Sequence, residues 1–283
     1  MNTTKTIYRF TEKEKVVNTI FLIMLCVLSI LVIYPLGMVL LTSFKSYGEA
    51  NQLNLMPPKH FLVGNYIQVF TEGRILTSLF NSIIVTGFSV LLVVFLSALL
   101  GFVLMRRRSK ITRLIYKVLT LGIIAPFAAL PTIKLLQMLH IYGTRFALVF
   151  VYAALFMPFS TMLFASFINT IPKELDEAGV IDGCQGWSLF TKIDFPLLKP
   201  VTITVAVLNF MWVWNDFQYP LFLLNTSTKW TLPLSVYSFF GQYNRSWHLV
   251  CADMVMVSLP VVIVYAFAQK YIISGMTAGA VKG

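Results

Sequence analysis

Pro172-Lys173-Glu174-Leu175-Asp176-Glu177-Ala178-Gly179-Val180-Ile181-Asp182-Gly183 is an acid-led stretch set between apolar runs long enough to cross a bilayer. It continues through Trp187 to Ile193-Asp194-Phe195-Pro196. Pro172 suits a first helical position, where its missing N–H has no partner to lose, and the acids that follow favour the positive end of a helix dipole. Leu175, Ala178 and Ile181 recur at i, i+3 and i+6, giving this short helix one apolar edge. Gly183 supplies a residue able to take positive φ and end it. The expected product is a compact polar knob.

What surrounds the knob is membrane. Of the 283 residues 58% are hydrophobic and 12% charged, against about 25% charged in a soluble domain. The N-terminal residues 1–15 carry Lys5, Arg9, Lys13 and Lys15, and an apolar run over 16–41 reads as a retained first span kinked at Pro35. Residues 42–78 form an outer loop. The remaining 79–273 hold five further spans, and 274–283 form a tail. A second span over 79–104 is closed by Arg106, Arg107, Arg108, Lys110 and Arg113, which the positive-inside rule places in the cytoplasm. The third region, 114–139, contains Pro126, Pro131 and Lys134 and is expected to be broken or re-entrant near its outer end. The fourth covers 146–167 with Pro158, the fifth 200–224, and the sixth 249–273 with Pro260. The fold class is thus an all-α membrane protein of about six transmembrane helices with both termini cytoplasmic.

Net charge is +11, from 22 basic and 11 acidic residues. The basic residues gather beside apolar spans, a topological signal that argues against a nucleic-acid surface. The knob's loop, 168–199, is the exception. Glu174, Asp176, Glu177, Asp182 and Asp194 outnumber Lys173, Lys192 and Lys199 there, and negative charge on a basic face fits a protein partner better than lipid.

Catalytic chemistry is missing. No G-x-x-x-x-G-K-[ST] loop occurs, so any ATP hydrolysis belongs to another subunit. His60, His140 and His248 lie in separate segments, and Cys26, Cys184 and Cys251 lack metal-ligand spacing. No cofactor, metal or catalytic residue is expected on this chain. A proton-coupled carrier would need intramembrane carboxylates, of which only Asp216 and Asp253 qualify, both near the outer side.

Trp212-Val213-Trp214-Asn215-Asp216-Phe217-Gln218-Tyr219-Pro220 puts a carboxylate roughly 24 Å along the fifth span. Aromatic rings beside amide and acid groups serve a sugar, or form an interfacial belt on a span that unwinds at Pro220. Trp214, Asn215, Asp216 and Phe217, with Asn81 and Gln137, are candidates for a translocation path; for Asn81 and Gln137 the alternative is that they face helix neighbours or the outer surface. The outer loop 225–248 is rich in aromatics, Tyr237, Phe240, Tyr243 and Trp247 among them.

Glu177-Ala178-Gly179, then Gly183, then Ile193-x-Phe195-Pro196 resembles the cytoplasmic E-A-A-x-x-x-G-x(9)-I-x-L-P loop of ABC importer permeases, with Gly179 and Phe195 departing from the usual Ala and Leu. Asn81-Ser82, Trp214-Asn215-x-Phe217, Thr231-Leu232-Pro233-Leu234 and the ending Gly275-x-x-x-Gly279-Ala280-Val281-Lys282-Gly283 extend the likeness to the carbohydrate branch, and most closely to the smaller maltose-type permease subunit. The resemblance implies a type I importer permease fold in a bacterial or archaeal inner membrane. It makes Glu174, Glu177, Ala178, Gly179, Asp182, Gly183, Ile193 and Pro196 the residues that couple to an ATPase, with Gly279 and Lys282 of the tail along the same interface. It implies as partners a second homologous permease, two ATP-binding subunits that hold ATP and Mg2+, and an extracytoplasmic sugar-binding protein for which the aromatic outer loop is the candidate dock. The expected cargo is a sugar, most simply an oligosaccharide, with glycerol-phosphate or a polyol as the alternative.

Overall fold

The computed structural model describes residues 12–107, 109–124, 126–240 and 246–280, and among these the chain is helical without strands. In chain order it forms α1 (Glu12–Thr42), α2 (Tyr47–Ala50), α3 (Gly64–Glu72), α4 (Ile75–Arg106), α5 (Lys110–Ile124), α6 (Ala129–Met138), α7 (Arg145–Ile168) and α8 (Glu174–Ile181). It continues through α9 (Trp187–Leu189), a π turn (Phe190–Asp194), α10 (Phe195–Leu197), α11 (Lys199–Asn215), α12 (Gln218–Leu223), α13 (Leu232–Ser235) and α14 (Trp247–Ala280). Short 3₁₀ turns at Ser227–Lys229 and Val236–Phe239 flank α13.

Four helices are singly long and apolar enough to span: Val17–Thr42, Ile75–Arg106, Arg145–Ile168 and Trp247–Phe267. A further pair, Trp187–Leu197 and Lys199–Asn215, is apolar enough only when taken together and is bent by 78° at its break, so that Lys199–Asn215 runs into the bundle while Trp187–Leu197 lies beside α8. The third region divides into α5, of 15 residues, and α6, of 10. Two boundaries differ from the sequence reading. The fifth span is interrupted at Asp216 and Phe217, with Asp216 extended at ψ 126°. The ring of Pro220 disfavours helix at the carbonyl four residues earlier, which is that of Asp216, so the break precedes the proline. The last helix runs on to Ala280, where a tail was expected from 274.

Packing between α4 and α7 holds the bundle. The buried face of α4 recurs every three or four residues and is mostly small: Ser78, Ser82, Ser89, Ser97, Ala98 and Gly101. In a bilayer, where apolar surface gains nothing by leaving lipid, small residues that admit close backbone approach drive association. A Cβ at Gly101 would stand 3.0 Å from the Phe164 Cβ and 3.3 Å from the Ala165 N, so the helices touch there. Beneath this seam Phe164, Ile168, Phe190, Leu198, Val201 and Val205 form a core beside the α8 loop. At the opposite end Val69, Ile75, Trp214, Leu232, Phe239 and Val250 form another.

Candidate functional site

The polar loop folds as α8 followed by a turn back into the bundle. Its helix proper begins at Glu174, two residues later than Pro172; the Leu175 N–H donates to the Pro172 carbonyl at 3.4 Å and the Asp176 N–H to Lys173 at 3.0 Å. Gly183 ends it at φ +85°, and the Cys184 N–H closes on the Gly179 carbonyl at 2.8 Å. Gly179 is the buried member of α8. A Cβ there would collide with Ile193 Cδ1 and lie 3.0 Å from Leu189 Cδ1, so glycine at this position is what lets Ile193 seat against the helix. The edge of Leu175, Ala178 and Ile181 faces outward, and Ile181 is 86% exposed. Glu174, Glu177, Asp182, Gly183 and Pro196 are exposed as well. Thus Gly179 and Ile193 hold the knob from within, and the others present a surface of acids around apolar side chains.

One guanidinium ties this knob to the bundle. Arg106, at the end of α4, places Nε 2.6 Å from Asp176 Oδ2 on α8 and Nη2 3.4 Å from Asp194 Oδ1 in the π turn. The Arg106 side chain is 11% exposed and that of Asp194 wholly buried. Asp194 Oδ2 has no hydrogen-bond partner among the described residues. Burial, and then the charge of Asp176, push the Asp194 carboxyl up to about 6, against the opposing pull of Arg106. The Phe190 ring supports the turn, 5.3 Å from Phe102, 5.7 Å from Trp187 and 5.6 Å from Phe195. This cluster was absent from the sequence reading, which used Arg106 only as a topological charge.

A cavity of about 680 Å³ opens at the far end of α11, lined by Phe127, Phe156, Phe159, Trp212, Asn215, Asp216 and Tyr219 with Gly122, Ile123, Leu155, Leu208 and Met211. Asp216 caps the helix after the break: Oδ1 accepts from the Gln218 N–H at 3.0 Å and Oδ2 from the Tyr219 N–H at 3.2 Å. Tyr152 OH donates to Oδ2 at 2.7 Å, pinning the break to α7. Rings line the wall, Phe156 and Phe159 5.3 and 5.4 Å from Trp212 and Phe127 4.5 Å from Tyr219. Among the described residues no Lys, Arg or His lines it.

The path candidates separate. Asn215 and Asp216 reach the cavity; Phe217 does not. Trp214 is 5% exposed and packs 5.2 Å from Phe210 in the core with Leu249 and Val250, and it is Trp212 that lines the cavity. Asn81 is buried, donating to the Thr228 and Trp230 carbonyls at 3.0 and 2.9 Å, so it anchors the outer loop. Gln137 is exposed near the end of α6 and away from the cavity. In the outer loop Tyr237 stands edge-on to Trp230 at 6.1 Å and Phe240 to Trp247 at 5.5 Å. Tyr243 and Lys282 lie outside the described residues, and Gly279 is in the last turn of α14.

Residues 93–278, which include α7, the knob, the triad partners Arg106, Asp176 and Asp194, and the cavity, match the family described as binding-protein-dependent transport system inner membrane component. The chain belongs to that family. The permease is 36% identical over 258 residues to the probable starch degradation products transport system permease protein AmyC of Thermoanaerobacterium thermosulfurigenes, covering 90% of this chain and 94% of the relative. It is 34% identical over 252 residues to the melibiose/raffinose/stachyose import permease protein MelC of Bacillus subtilis, covering 88% and 91%. The fold matches a chain of a bacterial ABC transporter involved in import of the acidic polysaccharide alginate, with TM-score 0.82 at 20% identity, over 93% of this chain and 98% of the other. The permease is therefore a multi-pass inner-membrane transport component of the maltose-type carbohydrate branch, without an ATPase site of its own.

Proposed function

We propose that this permease is one of two related membrane subunits of an ATP-driven importer that takes a neutral oligosaccharide from an extracytoplasmic binding protein. The observation that carries the ATP-driven part is the α8 knob: its apolar edge Leu175, Ala178 and Ile181 is uncovered in the single chain and ringed by Glu174, Glu177 and Asp182, a surface suited to a basic-rimmed groove on an ATP-binding subunit. Two such subunits hold ATP and Mg2+ in cytoplasmic positions, and both ends of the permease lie on that side. Their closure moves α8, and the motion rocks the two membrane subunits about the path between them. Gly279 and Lys282 belong to the same interface in this reading, and Tyr237, Phe240, Tyr243 and Trp247 to the binding-protein face.

The sugar reading rests on the named cargoes of the relatives and on the cavity, whose rings suit the C–H faces of a saccharide and whose Asn215 and Asp216 suit its hydroxyls. A lining with a carboxylate and no cation disfavours glycerol-phosphate. The test is reconstitution in proteoliposomes with the second membrane subunit, the ATP-binding subunits and the binding protein. ATP-dependent accumulation of labelled oligosaccharide is expected, and uptake by this chain alone would overturn the proposal.

A charge reversal checks the knob separately. Glu177→Lys should reduce copurification of the ATP-binding subunit at least threefold while membrane insertion is unchanged. Unaltered stoichiometry would mean that the acid is only solvated.

A further inference from the structure

The end of the bundle opposite α8 carries a second opening, between α4 and α7, that neither coupling nor the sugar cavity uses. Ile84, Phe88 and Leu92 come from α4 at four-residue spacing, and Phe146, Val149 and Phe150 from the start of α7; together they wall a groove of about 600 Å³. From Ile84 to Leu92 the wall descends about 12 Å along the helix into the apolar layer. Its mouth is different in kind. Thr144, Arg145 and Lys229 line it there, and among the described residues no carboxylate lines the groove.

The two cations are not consumed by the fold. Lys229 Nζ donates to the Gly143 carbonyl at 2.7 Å, which holds the ammonium in place and leaves two of its three protons. Arg145 is half-buried at the first position of α7 and makes no hydrogen bond or ion pair among the described residues. Both sit on the face where the positive-inside rule leaves basic residues scarce, so their convergence on one groove calls for an anion. Apolar walls running inward from a cationic rim match an amphiphile. A free sugar would leave the walls uncovered, and a lipid without net charge would leave the guanidinium unneutralised beside hydrocarbon.

We propose that this groove binds one anionic phospholipid of the outer leaflet, its phosphate bridging Arg145 and Lys229 and one acyl chain lying along Ile84, Phe88 and Leu92. Basic pockets between transmembrane helices hold lipid headgroups by this combination of charge and apolar contact. The site lies a full span away from α8, so occupancy and nucleotide coupling can be read independently.

The complete importer, purified in mild detergent from membranes containing phosphatidylglycerol and phosphatidylethanolamine, is the sample for native mass spectrometry. Wild type is expected to keep one phosphatidylglycerol through washing that removes phosphatidylethanolamine. Arg145→Gln should keep at least fivefold less, Arg145→Lys most of it, and Phe88→Trp, which fills the groove without altering charge, as little as Arg145→Gln. The Phe88 variant also covers the case in which the Arg145 variant fails to assemble. Equal retention of both lipids, unchanged retention in both loss variants, or displacement by inorganic phosphate alone would each overturn the proposal. So would absence of lipid in wild type together with disulfide cross-linking from Phe88→Cys to the second membrane subunit, which would make the occupant a protein helix.

Discussion

Arg106→Gln is expected to cut ATP-driven uptake at least tenfold at pH 8 while hydrolysis by the assembled importer continues. Arg106 is the charged tie between the end of α4, the α8 knob through Asp176, and the π turn through Asp194. Removing one member of a buried pair costs about 3–5 kcal/mol, because the remaining charge stays buried and unmatched. The knob then moves with the ATP-binding subunits without carrying α4. The pH dependence has a definite sign. The Asp194 carboxyl is raised to about 6, so the folded loop binds a proton where the unfolded chain is already ionised. This group's contribution to stability is therefore fully present below the ordinary carboxylate value of 3.8 and is lost as pH rises through about 6. Loss of Arg106 removes the influence that favours the ionised form, so the variant's carboxyl holds its proton to higher pH. The deficit of Arg106→Gln should accordingly shrink from pH 8 to pH 6, and adding Asp194→Asn, which removes the unmatched charge but leaves the tie to Asp176 broken, should leave the same, smaller deficit at both. A single variant with wild-type ratios of uptake to hydrolysis would remove Arg106 from coupling, and a deficit independent of pH would remove Asp194.

The second large effect falls on Gly183. Its φ of +85° is closed to β-branched side chains, and strain of this kind costs about 1–3 kcal/mol. A Cβ at this position meets no heavy atom within 4 Å. A failure of Gly183→Val is thus attributable to the backbone and not to crowding. The turn would open, Cys184 would lose its bond to the Gly179 carbonyl, and α8 would point elsewhere. The expected result is membrane-inserted permease with ATP hydrolysis that no longer follows uptake, measured side by side in proteoliposomes. Gly183→Asn, which tolerates positive φ, should keep more than half of the coupling. Equal behaviour of the valine and asparagine variants would sever the docking role from the glycine's conformation.

Much of this was legible from residues alone, and what escaped has physical reasons. The spans follow from length and apolarity, and the knob from an acid-led helix ended by a glycine, because both signals are local. Arg106 meets Asp176 and Asp194 across 70 and 88 residues, and nothing local announces that encounter. Trp214 was preferred to Trp212 because a span that is apolar all round gives no sign of which face is inward. Two residues apart on a helix, the rings point to nearly opposite sides, so one lines the cavity and the other fills the core. Asn81 had the composition of a path residue, yet its amide serves two loop carbonyls about 150 positions away. Gly179 departed from the familiar alanine without explanation until Ile193 was placed against it.

The turn Phe190–Asp194 closes with the Phe195 N–H on the Phe190 carbonyl, five residues back in place of four. Such a turn holds one surplus residue relative to an α-helix. Drawing that residue into α register would swing everything beyond it by about 100° relative to what comes before. Asp194 would then leave Arg106, and α11 would rotate against α8. Exchanging hydrogen bonds within this single turn would thus re-phase the joint between the α8 knob and α11, with the aromatic contacts of Phe190 as the resistance to be overcome.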